Sequence, residues 1–224
     1  MKKLIIILLT IIILGCDRKQ NNKDEDIYNV LKVMYDHMVT SRLKIIALPQ
    51  PIPPSSLVMK KNSDSINIKT VLDLINSKDT INLIESFIKK NGRYIVSIDS
   101  ILRPPYTLDI EEKHLQEFLD FKQIYASFKS IKDSVNVDVS LIPNNEYSYV
   151  IPYKSYYKDL PSRGYDKIDI GLWFSNIAFN QKRNKAILIV GVGMGRLNGF
   201  SAIYFLEKRK AKWFIKYNKG LTIS

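Results

Sequence analysis

The chain has 224 residues, 46% of them hydrophobic and 11% aromatic, with a formal charge of +12. Such a composition builds a packed core and excludes a disordered chain, and a single cysteine excludes an intramolecular disulfide. The positive charge is scattered, with no basic run longer than Lys208-Arg209-Lys210, which argues against a nucleic-acid partner and leaves at most weak attraction to anionic lipid headgroups.

The first element is a targeting segment. Met1-Lys2-Lys3 is positive, Leu4 to Leu14 is apolar apart from Thr10, and Gly15-Cys16 is followed by a polar tract to Asp26. A helix rises ~1.5 Å per residue and a bilayer span needs ~20 residues, so this apolar run is a signal-peptide core and not a span. The expected organisation is a signal over residues 1–15, a flexible tether over 16–26, and one globular domain over 27–224. Residues 49–56 are the alternative boundary.

Ile13-Leu14-Gly15-Cys16 resembles the lipobox of bacterial lipoproteins, although Leu14 is bulkier than the usual residue there. The resemblance implies cleavage between Gly15 and Cys16, acyl chains such as palmitate on Cys16, and a membrane as the partner those chains engage. Two or more chains anchor stably because each buried methylene contributes ~0.8 kcal/mol. Lys23-Asp24-Glu25-Asp26 resembles the acidic export signals of Bacteroidota surface lipoproteins. An outer-membrane location follows from these resemblances, with periplasmic and surface faces both open.

In the body, Ile27, Val30, Leu31, Met34 and Met38 form one helical stripe within Asp24 to Met38. Leu43 to Leu48 reads as a short strand, and the proline-rich 49–56 segment stops regular structure. Ile68 to Ile75 and Thr80 to Lys90 read as helices, the second closed by Asn91-Gly92 with Gly92 available for a left-handed cap. Arg93 to Ile98 reads as a strand, Asp109 to Ile131 as a helical stretch, and Ser134 to Ile142 as a strand.

The tail reads as four strands, Ile168 to Asn180, Lys185 to Val192, Phe200 to Lys208 and Lys212 to Ile223. Their short polar links make neighbours antiparallel. Ala186 to Val190 is apolar throughout, which predicts a central strand covered on both faces. Trp173 and Trp213 fall on flanking strands as core anchors. Tyr156 to Pro161, Ser175 to Asn180, Lys185-Ala186, Gly191 to Gly199, Leu206-Glu207-Lys208 and Lys212-Trp213 together resemble the C-terminal part of small uncharacterised lipoproteins of Bacteroidota. That likeness implies export and an antiparallel sheet and carries over no catalytic residue.

No catalytic template fits. Gly191-Val192-Gly193-Met194-Gly195-Arg196 lacks the last glycine of a dinucleotide fingerprint and precedes a strand pattern. The two histidines, His37 and His114, stand without a nucleophile motif, and Glu111 with His114 is half of a di-iron pair whose other half is absent. Asp99, Glu146, Asp166 and Asp169 are carboxylates that could pair, with no distance assigned. No catalytic residue, metal ligand or cofactor is expected. Tyr147, Tyr149, Tyr153, Tyr156, Tyr157 and Tyr165 form the densest aromatic cluster; the first five are the candidate binding surface, able to stack on sugars or grip a protein, and packing onto the sheet is the competing account.

The expected fold is α+β, an N-terminal helical half packed on a C-terminal four-stranded antiparallel meander. The expected role is a membrane-anchored, non-enzymatic binding or accessory module of the envelope, with an envelope protein or glycan as partner. An envelope-polymer hydrolase using paired carboxylates and an immunity or inhibitor protein are the alternatives.

Overall fold

The computed structural model describes residues 25–43, 78–106, 116–153, 168–194 and 198–223. Three α-helices occur among them: α1 (25–43), α2 (Lys78–Asn91) and α3 (Lys122–Lys129). Nine strands follow in chain order: β1 (Tyr94–Ile98), β2 (Ile101–Leu102), β3 (Val135–Asn136), β4 (Ser148–Pro152), β5 (Ile170–Phe174), β6 (Ala178–Phe179), β7 (Lys185–Gly193), β8 (Gly199–Arg209) and β9 (Lys212–Ile223).

Seven of the strands make one mixed sheet in the order β4-β1-β5-β7-β8-β9, with β6 also paired to β7. The pairs β4-β1 and β1-β5 are parallel, and the others are antiparallel. Strands β2 and β3 form a separate antiparallel pair.

This architecture overturns the expected helical half packed on a four-stranded meander. The molecule is mostly β, because two strands from the supposed helical half, β1 and β4, enter the same sheet. Their parallel pairing joins segments far apart in the chain, which local periodicity does not report. Ser148–Pro152 lies in the tyrosine-rich segment read as packing onto a sheet, yet it is a strand with Val150 opposite Val96.

Three other expectations are also corrected. The strand expected over Ile168 to Asn180 is broken between β5 and β6. There the Ser175 hydroxyl accepts the Ile189 amide at 2.8 Å, taking the place of a backbone acceptor, and the Asn176 side chain caps the Ile177 amide. Residues 116–121 form a 3-10 turn with non-helical φ/ψ at Phe118, so only α3 is α-helical between 116 and 131. The strand expected over Ser134 to Ile142 shrinks to β3 and a 3-10 turn whose start is capped by Asp138, which accepts the Ser140 amide. Of the other expected elements, 44–48, 49–56 and 68–75 lie outside the described residues.

The core has two layers, one on each sheet face. On the first face, α1 lays Val30, Leu31, Met34, Met38 and Val39 over Val96, Ile98, Leu172, Leu188 and Val190. On the second face, Phe118, Phe121, Ile124, Tyr125 and Phe128 cover Ala178, Ile187, Ile189, Ile203 and Phe205. Phe118 stacks on Phe205 at 4.6 Å between centroids and Phe121 meets it edge-on at 5.3 Å. Strand β7 is buried on both sides, with Ala186 to Val190 fully inaccessible, because each face finds its own cover.

Polar clasps fix α1 against the sheet. The buried carboxylate of Asp26 accepts from Lys208 Nζ at 2.7 Å, Arg183 Nε at 2.9 Å and Trp213 Nε1 at 3.2 Å. Burial alone raises its pKa, but the Lys208 and Arg183 hydrogen bonds, with the Lys208 charge and the Trp213 indole, hold it below the ordinary value. Further along α1, the fully buried Tyr35 hydroxyl bonds Ser148 Oγ, which donates to Asn145 Oδ1 at 2.8 Å. Helix α1 therefore runs from beside the β8-β9 turn to the start of β4.

Candidate functional site

Among the described residues, the second face of the sheet is only half covered. Along β7, the side chains on that face run Ile187, Ile189, Gly191, Gly193, because strand residues alternate between faces. The register carries this loss of volume across neighbouring strands. Ile189 faces Ile203, Gly191 faces Ser201 and Trp173, and Gly193 faces Gly199 and Gly171. Three glycines thus stand side by side in one cross-strand row, and Ser97 of β1 continues it opposite Gly171. Where α3 stops covering the sheet, the floor is nearly bare backbone.

A crevice of about 680 Å³ opens there, lined among others by Gly171, Trp173, Gly193, Gly199, Ser201 and Thr222. The chain after β1 makes its wall. Asp99 accepts the Ile101 amide at 3.0 Å and the Arg103 guanidinium at 2.8 Å, which turns the chain and holds Arg103 at the rim. Tyr106 then crosses the face, its hydroxyl 2.7 Å from Ser201 Oγ, which in turn bonds Thr222 Oγ1 at 2.7 Å. The Tyr106 and Trp173 rings are tilted to each other with centroids 6.1 Å apart.

The glycines are not equivalent. A Cβ on Gly191 would fall 1.7 Å from Trp173 Cε2, so this glycine exists to let the indole lie over the strand. A Cβ on Gly171 or Gly193 would meet nothing nearer than 3.7 Å and 4.0 Å. Their lack of side chain keeps the crevice open and is not demanded by packing.

The arrangement offers apolar and aromatic surface from Trp173, Tyr106 and Tyr153, with polar groups from Arg103, Asn198, Ser201 and Thr222. Such a mixture holds an amphipathic ligand and orients it by a few hydrogen bonds. Among the described lining residues the sole carboxylate is Asp99, and it is paired with Arg103. Asp169 accepts the Ile95 amide at 2.7 Å, near the opposite end of β1. Four residues at ~3.3 Å separate Ile95 from Asp99 along the strand, so Asp99 and Asp169 do not face each other across this crevice. Glu146 precedes β4, against Tyr147, whose pKa is pushed up to about 12 by its hydrogen bond to Glu146, by burial and by the charges of Glu146 and Glu85.

The tyrosine cluster divides. Tyr147 packs against the first-face core. Tyr149 and Tyr153, each two positions from Ile151, lie on the second face, 47% and 39% exposed. Arg93 lies over the Tyr149 ring at 5.0 Å, and Tyr153 lines the crevice. Tyr156, Tyr157, Tyr165, Asp166, Glu111, His114, Gly15 and Cys16 lie outside the described residues. His37 is half-buried on α1, edge-on to Tyr204 at 5.9 Å.

Sequence reasoning passed over Arg103, Tyr106, Gly171 and Ser201 as site residues. The available signal was the Ile187-Ile189-Gly191-Gly193 alternation, in which one face of a strand loses its side chains while the other keeps them.

Among the described residues no group of three or more His, Cys, Asp or Glu could hold a metal ion, and no helix is long and apolar enough to cross a membrane. No protein-family model, curated protein or solved structure matches the chain.

Proposed function

We propose that this chain is a bacterial envelope lipoprotein, held at the outer membrane by acyl chains on Cys16, whose body is a non-enzymatic module that binds a glycan in the second-face crevice. The observation that carries the binding reading is the glycine row Gly171-Gly193-Gly199 beside Trp173. A flat sheet floor next to an indole and two tyrosines suits a sugar ring, which presents an apolar C–H face and a polar edge. Arg103, Asn198, Ser201 and Thr222 line the same crevice and supply polar groups for that edge. The anchoring reading is supported by the only cysteine of the chain standing directly after an eleven-residue apolar run and Gly15.

Two measurements test this. Metabolic labelling with an alkyne fatty acid marks the wild type and not Cys16→Ala, and protease shaving of whole cells reports the exposed face. Calorimetric titration with envelope glycan fragments gives binding that Gly193→Val abolishes while thermal unfolding stays at or above the wild-type temperature. Equal binding by Gly193→Val removes the crevice from consideration.

A further inference from the structure

The end of the sheet opposite the crevice carries a second feature. The β8-β9 hairpin turns at Lys210-Ala211, and a hollow of about 560 Å³ lies beside it, lined by Glu207, Arg209, Lys210, Lys212, Phe214, Ile215 and Lys216. Phe214 is 49% exposed and the Arg209 side chain 65% exposed. Lys210 and Lys212 are exposed, and so is Lys182 in the turn at the same end. The acids near this tip are mostly engaged. Glu207 bonds Arg209 at 2.9 Å and lies 3.6 Å from Lys216; Asp120 bonds Lys216 and Lys185; Asp26 is clasped by Lys208 and Arg183. Glu25 is exposed and remains a nearby negative charge.

The start of α1 sits at this same end, because Asp26 is bonded to Lys208 and Trp213, the second residue pair in from the hairpin turn. Asp26 is ten residue steps along the chain from Cys16. At ~3.3–3.6 Å each they reach at most about 36 Å. An anchor at Cys16 therefore keeps this end of the sheet close to the bilayer.

We infer that the hairpin tip docks on anionic phospholipid headgroups, with Arg209, Lys210, Lys212 and Lys182 facing phosphates and Phe214 entering the headgroup layer. This rests on the reading of Cys16 as acylated. It sets the orientation of the body, since Ser201 in the crevice and Arg209 at the tip are eight residues apart on one strand, roughly 26 Å. The crevice then opens away from the membrane that holds the protein, toward whatever glycan lies beyond it.

The test uses the full acylated protein reconstituted in vesicles of phosphatidylcholine alone or mixed with phosphatidylglycerol. Acetylation of Lys210 and Lys212 by a water-soluble reagent is followed by mass spectrometry. Protection on the mixed vesicles, absent on phosphatidylcholine and relieved by high salt, is the expected result. Removing two cations with Lys182→Gln and Arg209→Gln weakens that protection roughly 30-fold, at ~1 kcal/mol per basic residue near the surface, and leaves both reporters in place. Equal acetylation on both vesicle types, or protection unchanged in the double variant, overturns the inference. The intact mass of the starting protein reports separately whether Cys16 carries acyl chains, so failure of anchoring and failure of docking are distinguishable.

Discussion

The Trp173 indole takes up the space above Gly191, where a Cβ would lie 1.7 Å from its ring, while a Cβ on Gly193, two residues along the same strand, would meet nothing nearer than 4.0 Å. The two glycines therefore answer differently to the same substitution. Gly191→Ala forces the indole aside and costs about 1–3 kcal/mol. Gly171→Ala and Gly193→Ala remove backbone freedom from the unfolded chain and change stability by at most about 1 kcal/mol, in the stabilising direction. Urea unfolding of the three variants checks this. A Gly193→Ala as unstable as Gly191→Ala would mean that the row is a packing requirement and not an opening.

That contrast shows where sequence was informative. The helical stripe of Val30, Leu31, Met34 and Met38 is visible in the spacing, and those side chains are buried. Gly92 after Asn91 is a local signal, and its φ of 84° is the left-handed cap it suggests. Neither the parallel pairing of Val96 with Val150 and with Ile170 nor the crevice is local. Gly171, Gly193 and Gly199 belong to three strands, and each alone reads as a turn or bulge. Only the register makes them neighbours. Ser175 likewise gives no warning that its hydroxyl will replace a backbone acceptor for Ile189 and end β5.

Asp26 gives a pH signature. Its carboxyl titrates below its ordinary 3.8 in the fold, because the cations and hydrogen-bond donors around it outweigh burial. The unfolded state then binds the proton more readily, so the contribution of Asp26 is fully present above about pH 4 and is lost as pH falls through the lower folded value. Asp26→Asn keeps an acceptor for Trp213 but leaves Lys208 and Arg183 without their counter-charge. It costs about 3 kcal/mol at neutral pH. Denaturant midpoints of wild type and variant converge as the pH is taken below 3.8; a constant gap down to the acid transition would show that the loss is steric.

The second-face core tests whether its aromatic packing is cooperative. Phe205 is fully buried between Phe118 and Phe121. Phe205→Ala removes the ring that both partners share and costs about 3–5 kcal/mol. Phe118→Leu and Phe205→Leu couple by about 1 kcal/mol in a double-mutant cycle, the size of one stacked pair. Additive losses would show that the rings contribute area alone.

The hairpin tip sets stability against surface contact. Lys210 and Ala211 have φ of 46° and 63°, the two positive values of a tight two-residue turn. Side chains other than glycine and asparagine are strained there by about 1 kcal/mol each. Ala211→Gly relieves that strain without touching charge, raising the melting temperature by about 2–4 °C. Lys210→Asn relieves it equally but removes a cation from the tip. Calorimetry therefore shows the same gain for both, while the acetylation footprint at Lys212 on anionic vesicles weakens only in Lys210→Asn. A footprint weakened to the same degree in Ala211→Gly would assign the contact to the shape of the turn, and an unchanged footprint in both would leave Lys210 no part in holding the tip at the lipid.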